Sequence, residues 1–482
     1  MPDHAQTWDK AVERRVVRKI DFILLPLMFI GYSLVYYDKA ILGGASVFGM
    51  STDLKLRVVV DATSTPPKVS TIRLSWATSL FYFGMLAGLF PMTYLFQRFH
   101  AGRTVGTVVI LWGIVAMSTA GVTTHQGLYV QRFFLGFTES IVPTAFMVII
   151  SGYYQQAEQT WRQCLWYSST GGMTVIGALL NFGFAHIKAA PLKSWQYLYI
   201  FAGAVTILFG VVLLFLPNSP ADAWWFTEEE RIVAVERLRS GQLGTRCQKI
   251  KWEQIREAML DLKVWLITVM MGIAYVINGG VAGFGPLITA SFGWTAYQAL
   301  LWQMPLGAIC LTGILAVGYI SLKVPNTRLI MLAACCLPVI AGSIMIWKSS
   351  WYHHAATPIA GYSILGFFAP ITSLVVSLGM VNVAGNSKKS FTAAATFTFY
   401  TVGNIVGPQL IKTPTVKQHY PELWEAVIVC YALLIVICAI LYFMLRRENR
   451  RRDMLNLDKE EGDKIAFDDL TDKQNLYFRY AY

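Results

Sequence analysis

Charge is scarce in this 482-residue chain: Asp, Glu, Lys and Arg make up 14% of it, where a soluble domain carries about a quarter. That shortage excludes a string of ordinary soluble domains, and no stretch reads as one. Cysteine is sparse and unpatterned. Cys164, Cys247, Cys310, Cys335, Cys336, Cys430 and Cys438 are odd in number, lie mostly in apolar segments and contain no C-x-x-C pair. They are read as small packing residues rather than a disulfide or metal framework. No G-x-x-x-x-G-K-[ST] loop is present; Gly385-Asn386-Ser387-Lys388-Lys389-Ser390 does not fit it. Nor is there an H-E-x-x-H, a G-x-S-x-G or an H-x-x-C cluster, so neither an ATP-driven pump nor an enzyme is expected, and no cofactor or metal is called for. His353 and His354 are read as solvated loop residues at a helix end. No cleavable signal peptide is visible. A charged segment (Asp9, Lys10, Glu13, Arg14, Arg15, Arg18, Lys19) precedes an apolar run too long for a signal core and without a credible cleavage site, so that run should remain as an anchor.

Apolar residues fill the space that charge leaves: 55% of the chain is hydrophobic and the mean hydropathy is +0.48. A membrane-spanning helix needs about 20 mostly apolar residues. Twelve segments qualify, near 23–46, 73–97, 104–121, 126–152, 163–187, 195–217, 264–290, 297–321, 328–347, 355–380, 391–411 and 423–445. The chain is therefore expected to be an all-α membrane protein embedded in a lipid bilayer. Residues 1–22 form a tail, 23–217 a first set of six helices, 218–262 a charged linker, 263–445 a second set of six, and 446–482 a closing tail. Residues 51–71 read as a polar hairpin with Pro66 and Pro67, and the linker as an amphipathic helix with Thr227 as N-cap before Glu228, Glu229 and Glu230. The net charge of +12 comes from Lys and Arg lying between apolar runs rather than along one face, which argues against nucleic acid as a partner. Their bias toward alternate loops places both termini in the cytoplasm.

Away from the helix ends, four charges sit inside the predicted spans: Asp38 and Lys39 in the first, Arg132 and Glu139 in the fourth. A charge at bilayer depth costs from about 2.5 kcal/mol upward and usually faces a cavity. Arg132 and Glu139 are seven residues apart, hence on one helix face and roughly 10 Å apart along its axis. Each helix thus offers one acid and one base, best tolerated if both line one wet central chamber. A carboxyl held away from bulk water can take up a proton near neutral pH. Arginine grips a carboxylate with two parallel bonds, and lysine supplies a point charge. The plainer alternative is a pair of static ion pairs holding helices together. Tyr36, Tyr275, Asn278 and Asn404 are the softer polar candidates for lining the chamber, against the alternative of local helix–helix hydrogen bonds. Gly84 with Gly88 and Gly403 with Gly407 form G-x-x-x-G pairs that permit close helix contact. Pro26, Pro91, Pro143, Pro286, Pro305, Pro338, Pro370 and Pro408 can bend helices.

Several of these stretches, taken together, resemble the fungal allantoate permease family, the anion:cation symporter branch of the major facilitator superfamily. They are Arg18-Lys19-Ile20-Asp21 through Leu25-Pro26, then Tyr36-Tyr37-Asp38-Lys39-Ala40-Ile41-Leu42-Gly43, Gln97-Arg98-Phe99 with Gly102-Arg103, and Arg132-Phe133-Phe134-Leu135-Gly136 with Glu139 and Pro143. Leu216-Pro217-Asn218-Ser219-Pro220, Asn382-Val383-Ala384-Gly385, Gly403-Asn404-Ile405-Val406-Gly407-Pro408 and the closing Asp469-Leu470-Thr471-Asp472 agree. The resemblance implies two six-helix bundles around a central cavity, alternating access, and proton-coupled uptake of a small organic anion such as allantoate, nicotinate or another vitamin or nitrogen source. It implies Asp38 and Glu139 as proton-coupling groups, Lys39 and Arg132 as substrate-binding ones, a plasma-membrane address and a monomer. An exporter of a fungal secondary metabolite and a non-transporting nutrient sensor are the alternatives on the same fold. Gln97 stands where the family's loop motif has aspartate, and Leu322-Lys323 after Gly318 also lacks one, so the usual cytoplasmic charge latch is not expected in its usual form.

Overall fold

The computed structural model describes residues 10–61, 68–187, 191–240, 251–324, 326–351, 356–455 and 469–482. Helix α1 (Lys10–Ala45) gives way across a kink at Phe48 and Gly49, the glycine at φ 125°, to the short α2 (Ser51–Asp53). The expected polar hairpin contains a two-stranded antiparallel ribbon, β1 (Val58–Asp61) and β2 (Lys68–Ser70); Pro66 and Pro67 lie outside the described residues. The first half continues as α3 (Ile72–Arg98), α4 (Ala101–Ser118), α5 (His125–Glu139), α6 (Ile141–Tyr153), α7 (Gln156–Tyr167), α8 (Ser169–Ala185) and α9 (Ser194–Leu213). The linker carries α10 (Glu228–Ser240) and α11 (Trp252–Met259). The second half is α12 (Leu262–Ser291), α13 (Ala296–Leu301), α14 (Gln303–Lys323), α15 (Arg328–Lys348), α16 (Ala356–Ile364), α17 (Phe368–Val381), α18 (Asn386–Gln409) and α19 (Pro421–Asp453).

Ten helical stretches among the described residues are long and apolar enough to cross a bilayer. The other two of the twelve expected segments are helical but do not meet both requirements. One is divided at Ser168 between α7 and α8; the other, α18, opens on a polar turn with Ser387, Lys388 and Lys389.

Four segments expected to be continuous are interrupted, at Ser140, Ser168, Trp302 and the 3-10 turn Leu365–Phe367. Proline explains three of these. A proline inside a helix removes the bond to the carbonyl four residues back and clashes with it. Pro143, Pro305 and Pro370 therefore act on the carbonyls of Glu139, Leu301 and Gly366, which end α5, end α13 and lie in the 3-10 turn. The Gly366 carbonyl accepts instead from Cys310 Sγ at 3.3 Å. Ser168 has no such proline; its Oγ donates back to the Leu165 carbonyl at 2.7 Å, a competition that bends helices. The linker also differs from the single amphipathic helix expected: Lys251, just ahead of α11, is extended at φ −98° and ψ 102°, and residues 241–250 lie outside the described residues. The cap at its start is as expected: Thr227 Oγ1 accepts from the Glu230 amide at 3.3 Å and the Glu230 carboxylate from the Thr227 amide at 3.2 Å.

Glycine decides how the site-bearing helices sit. A Cβ on Gly136 of α5 would fall 1.8 Å from the Phe81 carbonyl oxygen of α3, and one on Gly84 of α3 would fall 1.9 Å from that of Phe133. Backbone thus meets backbone where α5 crosses α3. On the other half, a Cβ on Gly403 of α18 would fall 2.2 Å from the Gly272 carbonyl oxygen of α12. Gly136→Val should therefore cost about 1–3 kcal/mol or more by overpacking. A thermal-shift measurement on purified protein checks this; an unchanged melting temperature would contradict the close crossing.

The first turns of α1 extend beyond the expected span and fasten the linker. Asp21 takes a two-pronged contact from Arg162 at 2.7 and 3.0 Å, Lys19 pairs with Glu230 at 2.7 Å, and Arg237 pairs with Glu158 at 2.7 Å. This end of the bundle is called the linker end below, and the opposite one the hairpin end.

Candidate functional site

Asp38 and Lys39 lie about two turns before the end of α1, and Arg132 and Glu139 on one face of α5, as their spacing requires. All four are buried, with 2%, 8%, 1% and 0% exposure. The structure brings them together crosswise. Lys39 Nζ lies 2.7 Å from Glu139 Oε1, and the same ammonium sits 5.5 Å above the centre of the Phe81 ring. About two turns back along α5, Arg132 donates to the backbone carbonyl of Asp38 at 3.4 Å and to the Tyr199 hydroxyl at 2.5 Å. The Asp38 carboxylate faces Arg132, Glu139 and the Trp112 indole.

This cluster is not a fully satisfied ion-pair network. Asp38 Oδ2, Arg132 Nε, Trp112 Nε1 and both Glu139 carboxylate oxygens complete no hydrogen bond of ordinary geometry, so the 2.7 Å Lys39–Glu139 contact is an ion pair without good alignment. Buried polar atoms are nearly always bonded in a finished core. Here atoms from four residues of one cluster lack such a bond.

The softer candidates divide. Asn278 Nδ2 donates to Asn404 Oδ1 at 2.8 Å, and Asn404 Nδ2 to the Tyr400 carbonyl at 2.8 Å. This pair therefore joins α12 to α18. Tyr275 shares a hydroxyl hydrogen bond with Tyr167, which also contacts Thr372 Oγ1 at 3.0 Å. Tyr36 is half-buried and faces Thr174 and Cys310.

Hydrogen bonds tie the halves at both ends. At the hairpin end Ser75 and Ser79 donate to the carbonyls of Pro408 and Ile405, each at 3.1 Å. At the linker end Ser377 Oγ donates to Thr160 Oγ1 at 3.2 Å. Asp38, Lys39, Arg132 and Glu139 lie buried between these two sets of bonds.

The sequence profile described as Major Facilitator Superfamily matches residues 28–408. The chain belongs to that superfamily. An uncharacterised transporter of Schizosaccharomyces pombe is 32% identical, the match covering 100% of this chain and 90% of that one. The allantoate permease of Saccharomyces cerevisiae is 31% identical over 97% of this chain and 86% of its own length. The thiamine pathway transporter of the same yeast is 29% identical over 97% and 86%. Among solved structures, a major facilitator proton:xylose symporter superposes with a TM-score of 0.68 at 14% identity, covering 88% of this chain and 96% of that one, a likeness of fold alone. The protein is thus a multi-pass membrane transporter of the secondary type and not an enzyme.

In this superfamily member the surroundings of the four charges hold more than the sequence singled out. Tyr32, Tyr82 and Tyr400 all face Glu139, and Tyr400 packs edge-on against Tyr275 at 4.3 Å between ring centres. Tyr199 and Trp112, which attend Arg132 and Asp38, were also not singled out. One signal was readable: Tyr32 lies seven residues before Lys39, hence on its helix face. The others come from four different helices, and no spacing along the chain relates them.

Proposed function

We propose that the protein couples proton movement to transport of a small organic anion through the Lys39–Glu139 pair. The observation that carries this is a buried ion pair, 2.7 Å long, whose acid has an unpartnered second oxygen and which stands beside an arginine with an unpartnered Nε. A proton on Glu139 removes the counter-charge of Lys39. The freed ammonium and the Arg132 guanidinium then present two cations to a substrate carboxylate. Tyr199 and the Asp38 carbonyl hold Arg132 in place for that contact. Asp38 is the second proton acceptor, and Tyr36 and Tyr275 line the chamber. Asn278 and Asn404 act together, setting the spacing of α12 and α18 around the guest. The bundles then rock, the linker end opens, and the proton leaves to the cytoplasm. One proton with a monoanion is electroneutral; a second proton adds one positive charge, worth about 2.3 kcal/mol per 100 mV.

The similarity to a yeast allantoate permease supports a small carboxylate as cargo. The excess of Lys and Arg on the linker, both tails and the loops of that side supports cytoplasmic termini; the plasma membrane is the address this reading implies. Cells displaying the protein should accumulate a labelled small carboxylate such as allantoate or nicotinate when the medium is acidic, and a protonophore should abolish the accumulation. A competition panel of small organic acids then ranks the cargo. If uncharged solutes compete as well as carboxylates, the anion reading fails.

A further inference from the structure

The last fourteen described residues, 469–482, fold back onto the linker end of the second half. Arg452, near the end of α19 and 2% exposed, organises them. It donates to the carbonyls of Asp472, Asn475 and Phe478 at 3.0, 3.2 and 2.8 Å. Asn382 exchanges two hydrogen bonds of 2.8 Å with the backbone of Ala481. The tip of this fold is Asp472, fully buried. Its carboxylate pairs with Lys263, at the start of α12, and with Lys388, at the start of α18, the second at 2.8 Å. It also accepts from the Tyr480 hydroxyl at 2.9 Å. The junction with α11 is included: Lys388 reaches Glu257 at 2.7 Å and Asp261 at 2.8 Å, and Thr471 Oγ1 donates to Glu257 at 2.8 Å.

One carboxylate from the end of the chain thus joins α12, α18 and the linker. Those two helices carry Tyr275 and Tyr400, which pack on one another, and they meet the first half through α1 and α3 respectively. Without Asp472, Lys263 keeps the Asn382 carbonyl at 2.7 Å, but its one remaining counter-charge among the described residues is Asp261, at 3.8 Å, a carboxylate that Lys388 and Lys473 also use. Burial works against the charge on Asp472, yet Lys263 and Lys388 outweigh it and hold the carboxyl down at about 2. A depressed acid keeps its stabilising effect at all pH above its ordinary value of about 4 and loses it only as pH falls through the depressed one. The contact is therefore charged throughout the cellular pH range.

We propose that Asp472 is a positioning residue of the transport cycle, fixing the linker ends of α12 and α18 as one unit so that the halves close on each other at that end. The proposal rests on the alternating-access reading but not on the cargo or on proton coupling. Its test is therefore read without substrate. In the full chain with Cys164→Ser, the pair Thr160→Cys and Ser377→Cys reports closure, because the native hydroxyls meet across the halves at 3.2 Å. Disulfide formation under mild oxidant should slow roughly tenfold or more on adding Asp472→Asn, because two buried lysines then lose their shared counter-charge. Asp472→Glu should restore most of it. Unchanged cross-linking in Asp472→Asn overturns the proposal. So does loss of both variants from the membrane, which would make the tail a folding element and nothing more.

Discussion

Arg132→Ala abolishes anion uptake in cells that still display the protein at their surface. The side chain is 1% exposed, and Tyr199 and the Asp38 carbonyl hold its guanidinium beside Lys39 and Glu139 in the proposed site. Removing one member of a buried charged contact costs about 2–5 kcal/mol, so the loss in uptake at low substrate should reach roughly a hundredfold. Arg132→Lys keeps the charge but not the two-pronged geometry and should recover a minor part. Tyr199→Phe removes one hydrogen bond to a charged group, worth about 1.5–3 kcal/mol, and should weaken uptake less than Arg132→Ala. Initial rates of labelled-anion uptake, normalised to surface protein, give the comparison. Near-normal uptake in Arg132→Ala would remove this residue from the substrate path.

Glu139→Gln separates transport from its driving force. The amide copies the shape of a protonated carboxyl and cannot release the proton, so Lys39 is never recaptured. Exchange of labelled for unlabelled anion across the membrane should survive, since it needs no return of an unloaded carrier. Accumulation against a gradient should vanish at every imposed pH difference. Vesicles preloaded with unlabelled anion measure the first, and vesicles with an acid exterior the second. Normal accumulation in the variant would assign the proton to another group, Asp38 being the next candidate.

How far such roles could be read from the chain differs from residue to residue. Arg132 and Glu139 were legible as one face because helical periodicity survives any packing. The partnering was not: whether Lys39 meets Glu139 or Arg132 meets the Asp38 carboxylate depends on the azimuth of α1 against α5. The backbone contacts of Gly84 and Gly136 seat α5 against α3, while α1 is placed by other contacts, such as Gly31 against the Phe146 and Phe209 rings, and no spacing along the chain relates the two sets. The close pairing of Gly403 with Gly272 could be anticipated only in part, since the G-x-x-x-G at 403 and 407 announces a small face without naming its partner. Pro143, Pro305 and Pro370 announced helix breaks that the continuous spans passed over, while Ser168 breaks its helix through a side-chain contact that many serines could make. Tyr199 and Trp112 were hidden by abundance, because aromatic residues form 14% of the chain and few of them reach a charge. Asp472 was hidden by distance: 84 residues separate it from Lys388, and a polar tail carries no mark of the buried site it enters.

The central claim is that a proton on Glu139 and an anion on Lys39 belong to one event, and proton uptake on binding tests it most directly. Purified protein in a weakly buffered solution near neutral pH receives the anion, and the pH change is recorded. Linkage requires that binding take up roughly one proton per anion in the wild type, and close to none in Glu139→Gln at equal occupancy. Equal proton uptake by both proteins, or none by the wild type, would contradict the account.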